Sequence, residues 1–253
     1  MHIKVIGQGP DLVMLHGWSM HSAVWHDLAD ELAKNFTLHL VDLPGHGQSS
    51  WQQGDLELDV LVNNLAMELP ETAYWLGWSL GGLISLAFAD RFPVRVRKLI
   101  LMAATPCFVK KDDWLCAMDT TIFKLFADNL NVNQAETLQR FLLLQARGSD
   151  HSRDTIRQLG EQLAIENPPS SEALQAGLKL LIETDMRMQF ADLTCPVQMI
   201  LGDRDTLIPE EMLPAAKQLQ AEVDVKLLPG AGHAPFISQP VECNNLIESF
   251  INE

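Results

Sequence analysis

The chain has 253 residues, of which 47% are hydrophobic and 20% are charged, and its formal net charge at pH 7 is −15. This composition is typical of a globular protein that is large enough to bury a sizeable hydrophobic core. The negative charge excludes broad binding of nucleic acids or anionic membranes, because both need a basic surface.

The sequence gives no sign of a secretory leader, a membrane span or a metal centre. No apolar run is long enough to span a bilayer. The four cysteines are scattered without metal or redox spacing: Cys107, Cys116, Cys195 and Cys243. We therefore expect a cytoplasmic protein.

Short apolar runs alternate with helix-length segments along most of the chain. The predicted strands are Ile3–Ile6, Leu12–His16, Thr37–Asp42, Ala73–Trp78, Val96–Ala103, Val197–Gly202 and Val225–Leu228. The predicted helices are Ala23–Lys34, Asp59–Glu68, Leu80–Arg91, Glu210–Gln220 and Val241–Ile251. This alternation predicts an α/β fold with a mostly parallel sheet flanked by helices. The first two strands are too close in sequence for a crossover, so we expect them to pair antiparallel.

The fourth predicted strand runs into a G-x-S-x-G sequence, Gly77–Gly81, and a predicted helix follows at Leu80. A sharp turn from strand to helix lifts the serine hydroxyl out of the backbone, and bulk at either flanking position would clash. The dipole of the following helix also favours negative charge developing on a substrate. The pentapeptide alone is common by chance, and a serine that caps a turn is the structural alternative. The strand and the helix around it favour Ser79 as a nucleophile.

A segment from Val109 to about Phe190 carries no strand pattern. It consists of amphipathic helical stretches, of which Ala135–Arg147 is one. Three features interrupt these stretches: Gly148, Pro168–Pro169 and Gly177. We therefore predict a first part of the core at 1–108, a helical cap at 109–190, and a second part of the core at 191–253. A cap of this size would cover the carboxyl edge of the sheet, where open α/β sheets place their sites.

A serine nucleophile needs a base, and His233 has the most suitable position among the eight histidines. It lies in a Gly- and Pro-flanked loop, Pro229–Pro235, after the last predicted strand. A histidine in a surface loop is the structural alternative. His16 and His46 each precede a glycine in a turn, and we interpret them as structural hydrogen-bonding residues.

The base in turn needs a carboxylate that orients it. Asp203 and Asp205 follow the strand Val197–Gly202, and the chain order of serine, acid and histidine is the one expected for this architecture. Asp203 can equally pair with a neighbouring cation or cap a turn. The residue pattern alone leaves both aspartates open.

An oxyanion hole is the fourth part that ester chemistry needs. Leu15–Trp18 ends the first strong strand at the same edge of the sheet. There the N–H of Trp18 can join that of Leu80 in binding a developing oxyanion. The alternative is that Gly17 only serves a tight turn.

With these motifs in this order, the whole chain resembles the α/β-hydrolase superfamily, and Asp42–Ser49 looks like a loop of that superfamily. The resemblance implies the α/β-hydrolase fold, with the helical cap inserted after the sixth strand. In the superfamily the acid follows a G-x-x-D pattern, which selects Asp205 over Asp203. The resemblance thus implies Ser79 as nucleophile, Asp205 as orienting acid and His233 as base.

The sequence is also similar to a narrower family, the biotin-pathway esterases that demethylate pimeloyl-acyl-carrier-protein methyl ester. The similarity runs nearly end to end, and its most telling stretches are Leu15–Trp18, Thr37–Gly45, Trp75–Gly82, Pro106–Phe108, Arg140–Leu142 and His233–Ser238. It implies a serine carboxylesterase whose partner is an acyl carrier protein bearing a pimeloyl methyl ester. We expect no cofactor, no metal and a monomer. By the same likeness Trp18 and Leu80 contact the substrate, and the acyl pocket is lined by Phe141, Leu142, Leu143, Leu144 and Gln145.

An arginine-rich stretch of the cap interrupts the otherwise acidic chain. Between Gln139 and Gly160, two aspartates accompany four arginines: Arg140, Arg147, Arg153 and Arg157. A solvated helix surface is the structural alternative, since Arg153 and Arg157 are four residues apart and share one helix face. The family, however, docks its acidic carrier protein on basic cap residues, so the resemblance implies docking at Arg140, Arg153 and Arg157. Glu136 departs from the family, which has a base there.

Two other functions stay open at this point. The first is another enzyme of the superfamily, such as a broad short-chain esterase, a carbon–carbon bond hydrolase or a perhydrolase. A dehalogenase is disfavoured, because it needs a carboxylate where Ser79 stands. The second is a ligand receptor on the same fold. The retained serine, aspartate and histidine favour an enzyme.

Overall fold

The computed structural model describes residues 1–165 and 168–253, and within them seven strands form one sheet in the order β1-β3-β2-β4-β5-β6-β7. The strands are β1 (His2–Gly7), β2 (Asp11–Leu15), β3 (Thr37–Asp42), β4 (Ala73–Trp78), β5 (Val96–Met102), β6 (Val197–Gly202) and β7 (Asp224–Leu228). The α-helices of the described residues are α1 (His26–Leu32), α2 (Leu58–Glu68), α3 (Leu80–Arg91), α4 (Thr120–Leu130), α5 (Gln134–Gln145), α6 (Ser152–Ile165), α7 (Ser171–Glu183), α8 (Arg187–Asp192), α9 (Met212–Leu219), α10 (Pro235–Ser238) and α11 (Pro240–Asn252). The predicted α/β class and mostly parallel sheet are confirmed.

The first strand has a different partner from the one that the sequence predicted. β1 runs antiparallel to β3, which lies between β1 and β2, so the expected pairing of the two opening strands was wrong. The link between them contains Gly7 and Gly9, both with positive φ. A Cβ on Gly7 would lie 2.2 Å from the Phe36 carbonyl oxygen, and one on Gly9 equally close to that of Asn35. The link therefore crosses tightly over the chain that enters β3, which only glycine permits.

The central strands bury side chains on both faces, which explains their continuous apolar sequence. In β5, Leu99 and Leu101 join one hydrophobic cluster, while Ile100 and Met102 join the cluster on the opposite face. Helices α2, α3, α8 and α9 contribute to the first cluster, and α1, α10 and α11 contribute to the second. Helices thus cover both faces, and the carboxyl ends of β2, β4, β6 and β7 meet at one edge.

Helices α4 to α8 lie between β5 and β6. The prediction that the helical insertion follows a sixth strand was wrong, because residues 1–108 form five strands and the chain leaves the sheet after β5. The two ends of the insertion meet: the Met186 N–H donates to the Pro106 carbonyl oxygen, and Cys107 forms an isolated β-bridge with Asp185.

Two details of the insertion differ from the sequence prediction. Gly177 lies inside α7 and does not interrupt it. The absence of a side chain at Gly177 lets α7 approach Trp18 closely. Helix α8 crosses the predicted boundary at residue 190 and packs against α3 and α9 of the core. We therefore propose that the cap consists of α4 to α7 and ends near Thr184. Gly148, with φ +81°, follows α5 as expected.

Candidate active site

Ser79 lies at the junction of β4 and α3 in a strained backbone conformation. Its φ is +54° and its ψ is −117°, and its N–H donates to the Met102 carbonyl oxygen of β5. The glycines on either side are required by close contacts. A Cβ on Gly77 would lie 2.3 Å from the Gly81 carbonyl oxygen, and one on Gly81 would lie 2.2 Å from that of Leu15. A non-glycine residue keeps a positive φ only where its surroundings enforce it, which is typical of a functional position.

The structure brings together the serine, histidine and aspartate that the sequence indicated. His233 Nε2 lies 2.9 Å from Ser79 Oγ, and His233 Nδ1 lies 2.8 Å from Asp205 Oδ2. All three residues are buried, with 4%, 1% and 7% of the surface of Ser79, His233 and Asp205 exposed. This arrangement lets the Asp205 carboxylate accept a hydrogen bond from Nδ1 while Nε2 faces the serine hydroxyl as an acceptor.

The two aspartates after β6 have different partners. Asp205 Oδ1 accepts hydrogen bonds from the N–H groups of Leu207 and Ile208, at 2.8 and 3.1 Å, which fix its carboxylate beneath His233. Asp203 Oδ1 accepts from the Gly230 N–H at 2.7 Å. Asp203 thus anchors the loop that carries the histidine, while Asp205 contacts the imidazole itself.

Trp18 and Leu80 lie at the positions expected for an oxyanion hole. Leu80 is the first residue of α3, so its N–H has no acceptor inside the helix. Within the described part of the chain, the N–H of Trp18 has no protein acceptor. Gly17 closes a turn, because its carbonyl oxygen accepts from the Met20 N–H at 3.2 Å, and it also lies close to the Trp78 ring, 3.0 Å from which an added Cβ would fall.

His16 supports the loop that carries Trp18. Its Nδ1 donates to the Gly17 carbonyl oxygen at 2.8 Å, and its Nε2 accepts from the Leu43 N–H at 3.0 Å. These two bonds select the Nδ1–H tautomer of a neutral ring. Burial, and next the neighbouring His46, lower the pKa of His16 to about 3, so it stays neutral. This geometry agrees with the structural role that the sequence suggested.

His46 is the second buried histidine at this edge. Its Nδ1 donates to the Pro44 carbonyl oxygen at 3.0 Å, and burial lowers its pKa to about 4. His46 therefore carries no charge at neutral pH.

The cap contacts the catalytic residues mainly through main-chain atoms. The Gln145 carbonyl oxygen accepts from the His233 N–H at 3.0 Å, and the Leu144 carbonyl oxygen accepts from Thr206 Oγ1 at 3.2 Å. The Phe141 ring meets the Trp18 ring edge-on, with centroids 4.7 Å apart. The end of α5 thus touches the loops of the base, the acid and the oxyanion hole.

The five residues of the predicted acyl pocket occupy different environments. Phe141, Leu142 and Gln145 are buried, whereas Leu143 is 49% exposed. Phe141 and Gln145 are four residues apart on α5 and share the face toward the site. Leu143 lies on another face of the helix and therefore has the least structural support as a pocket residue.

Gln145 carries an unusual side chain for a buried position. It is 1% exposed, and within the described residues neither Nε2 nor Oε1 has a hydrogen-bond partner. A buried amide without partners costs about 1–3 kcal/mol. A substrate atom or a water molecule that pairs with this amide would recover that free energy.

Trp78 also belongs to the site, although the sequence motifs gave it no role of its own. Its indole N–H donates to the His233 carbonyl oxygen at 2.7 Å, and its ring packs against Phe236. The tryptophan next to the serine was visible in the sequence, but its bond to His233 depends on the fold.

The three predicted docking arginines differ in their charge environment. Arg140 forms an ion pair with Glu136 at 2.6 Å, and Arg157 pairs with Glu161 at 2.9 Å. Arg153 is exposed and, in the described ranges, forms no ion pair. Arg153 is thus the member of the set whose charge is least compensated.

Neither a metal cluster nor a membrane-spanning helix occurs in the portion of the chain that the structure describes. No three His, Cys, Asp or Glu side chains there are grouped as metal ligands would be. None of the helices there has the length and apolar character that crossing a bilayer requires.

Both a protein-family model and individual protein sequences match nearly the whole chain. Residues 12–246 match the model of an alpha/beta hydrolase family. A pimeloyl-acyl-carrier-protein methyl ester esterase of Xylella fastidiosa is 45% identical over 99% of this chain and 98% of its own length. Proteins of the same name from Xanthomonas oryzae and Aeromonas salmonicida are 43% and 40% identical, each over 98% of its own length.

Solved structures of the same fold match nearly the whole chain. An esterase from Exiguobacterium antarcticum superimposes with a TM-score of 0.89 over 100% of this chain and 95% of that protein, at 20% identity. A bromoperoxidase from Bacillus anthracis also gives 0.89, over 99% and 95% of the two chains, at 20% identity. At this level of identity these two structures show the fold alone.

Proposed function

The chain belongs to the alpha/beta hydrolase family, and from this premise we propose that it hydrolyses the methyl ester of pimeloyl-acyl-carrier-protein in biotin precursor synthesis. The observation that carries the chemistry is the hydrogen-bonded series Ser79–His233–Asp205, with separations of 2.9 and 2.8 Å. The full-length relatives named for this substrate supply the substrate class.

The reaction proceeds in two halves through an acyl-enzyme. Ser79 Oγ attacks the ester carbonyl carbon while His233 Nε2 takes its proton, and Asp205 stabilises the imidazolium that forms. The N–H groups of Trp18 and Leu80 bind the oxyanion of the tetrahedral intermediate. The intermediate collapses, and methanol leaves with the proton from His233. Water activated by His233 then attacks the acyl-enzyme, which releases the free carboxylate and restores Ser79.

The burial of the three residues suits this chemistry. Water is largely excluded around Ser79, so the attraction between the imidazolium and Asp205 is less screened than at a surface. The neutral His16 below the oxyanion loop adds no charge that would compete with these groups.

We assign the substrate's recognition to two cap features. The Gln145 amide, which has no hydrogen-bond partner among the residues the structure describes, binds a polar atom of the acyl chain, such as a carbonyl oxygen, and thereby selects a substrate with a second polar group. Arg153 attracts the acidic carrier protein, because within the described residues its charge has no ion-pair partner, while those of Arg140 and Arg157 are paired.

Genetic complementation tests the proposal directly. The gene is expressed in a bacterial strain that lacks its pimeloyl-acyl-carrier-protein methyl esterase, and growth is followed without biotin. We expect growth with the wild-type gene and none with Ser79→Ala. Purified protein is assayed in parallel for methanol release from a carrier-linked methyl ester and from a small methyl ester. Equal efficiency on both, without complementation, would favour a broad esterase instead.

A further inference from the structure

Cap helix α7 contacts both residues whose amides form the proposed oxyanion hole. The indole Nε1 of Trp18 donates to the Leu174 carbonyl oxygen of α7 at 2.8 Å. One turn further along α7, a Cβ built on Gly177 would lie 2.8 Å from Trp18 Cδ1 and 3.3 Å from Leu80 Cδ2. The backbone of α7 therefore lies directly on these two side chains.

Gly177 is an unfavourable residue at its position unless close approach is needed. It lies in the interior of the helix Ser171–Glu183, where glycine is among the least stabilising residues. The short distance to Trp18 gives the physical reason, since a methyl group at this point would displace the indole. Gly160 in α6 is a useful contrast, because an added Cβ there meets no described atom within 4 Å.

The loop that carries Trp18 depends on contacts from outside itself. Ser19, the next residue, has φ +68° and is completely buried. Such a conformation persists in a non-glycine residue only when the surroundings hold it. The Leu174 carbonyl and the Gly177 surface hold the Trp18 side chain from the cap, and Phe141 of α5 adds an edge-on ring contact.

We propose that α7 is a positioning element of the oxyanion hole: Leu174 and Gly177 hold Trp18 and Leu80 so that their amides converge on the reacting ester. The inference rests on the proposed ester hydrolysis and deepens it, because it makes the cap part of the catalytic centre. Gly177 and Leu174 act through Trp18 and Leu80 and need not touch the substrate.

The experiment compares Gly177→Ala with the matched control Gly160→Ala, both in the full-length protein. The kcat and KM for a p-nitrophenyl ester are measured, together with the dissociation constant of phenylboronic acid, which forms a tetrahedral anionic adduct with an active-site serine. We expect Gly177→Ala to lower kcat at least tenfold and to weaken boronate binding in parallel, with KM changed less than threefold. Gly160→Ala should keep all three values within twofold and raise the thermal midpoint, since alanine favours the helix.

A second variant, Trp18→Phe, covers the case in which Gly177→Ala does not fold. It removes the indole N–H but keeps the backbone amide, and we expect it to lower kcat and boronate affinity together. The inference is overturned if folded Gly177→Ala, or Trp18→Phe in its place, keeps kcat and boronate affinity within twofold. A fall in kcat with unchanged boronate affinity would also overturn it. If the wild type hydrolyses no ester, the proposed function fails, and the boronate comparison still decides whether α7 positions the hole.

Discussion

The core and the cap contribute to the same site in different ways. The core supplies the groups that react, because Ser79, Asp205 and His233 follow β4, β6 and β7 at one edge of the sheet. The cap supplies the main-chain carbonyl oxygens of Leu144, Gln145 and Leu174. It also supplies Gly177, whose lack of a side chain allows close packing. The reactive groups thus lie at the edge of the sheet, while a separate insertion between β5 and β6 contacts the loops that carry them.

The largest effect should come from removing reactive groups of the core. We expect Ser79→Ala and His233→Ala each to lower kcat by about 10⁴-fold or more, because neither step of acyl transfer proceeds without the pair. The double variant should be little worse than either single variant, since the two residues act as a unit. Steady-state kinetics on a p-nitrophenyl ester measure this, with circular dichroism as the folding control. Losses that multiply in the double variant would contradict a shared mechanism.

The two aspartates after β6 give a matched pair within the core. Asp205→Asn should lower kcat by about 10³–10⁴-fold, because the imidazole then loses its orienting charge and the correct tautomer. Asp203→Asn should cost less than about fivefold, because an amide oxygen can still accept from the Gly230 N–H. The measurement is kcat for both variants, with unfolding midpoints in parallel. The reverse order would show that Asp203 is the acid in solution.

Gln145, at the end of α5, should affect binding more than chemistry. We expect Gln145→Met to raise KM for the carrier-linked methyl ester about tenfold, the equivalent of roughly 1.4 kcal/mol, and to leave kcat within threefold. The same variant should raise the thermal midpoint, because it removes a buried amide that has no partner within the described residues. Gln145→Glu serves as the comparison and should destabilise the fold. A drop in kcat with unchanged KM would assign Gln145 to the chemistry instead.

Variants of the cap arginines test whether docking of the carrier protein depends on an arginine that has no ion-pair partner among the described residues. We expect Arg153→Glu to raise KM for the carrier-linked ester about fivefold, and Arg157→Glu, whose positive charge already pairs with Glu161, to raise it about twofold. Both should leave hydrolysis of a small soluble ester unchanged. Added salt should weaken the wild type more than Arg153→Glu, because screening acts on an attraction that this variant lacks. Equal losses on both substrates would mean that Arg153 supports the cap itself.

The last prediction concerns the stability of the core and should leave turnover at neutral pH almost unaffected. His16 and His46 have folded-state pKa values of about 3 and about 4, below the unfolded value of 6.5. Below pH 6.5 the unfolded state therefore binds more protons than the folded state. As the pH decreases from 6.5, the free energy of unfolding decreases by up to about 1.4 kcal/mol per pH unit for each histidine. Urea unfolding at pH 7, 5.5 and 4.5 measures the loss. His46→Asn should roughly halve this pH-dependent loss, and an unchanged slope would contradict the assignment.

Features whose physical requirement is local could be predicted from the sequence. The helix α3 (Leu80–Arg91) and the strand β4 (Ala73–Trp78) have the predicted bounds, because a buried strand, a tight glycine turn and an apolar helix each leave a short, contiguous pattern. The candidate site shares this property, since Ser79 and His233 lie in glycine-flanked motifs. Asp205 needed the resemblance to the superfamily, because two aspartates satisfied the local pattern.

The features that the sequence did not reveal depend on contacts between distant segments. The partner of β1 is set by a linker that crosses Asn35 and Phe36, and no local pattern records that crossing. Gly177 looked like a helix breaker, because a glycine in sequence carries no information about what lies against it. The pairing of Arg140 with Glu136 was also invisible as an ion pair, although Glu136 itself was noted as a departure.

The carbonyl contacts of α5 and α7 have a consequence for protein engineering. If the cap contacted the core only at its two ends, near Pro106 and Met186, it could be replaced as a unit by the cap of another protein. This cap also meets the core at Trp18, Thr206 and His233. A chimera that takes its cap from another hydrolase must therefore place main-chain carbonyl oxygens where they can accept from the Trp18 indole, the Thr206 hydroxyl and the His233 N–H.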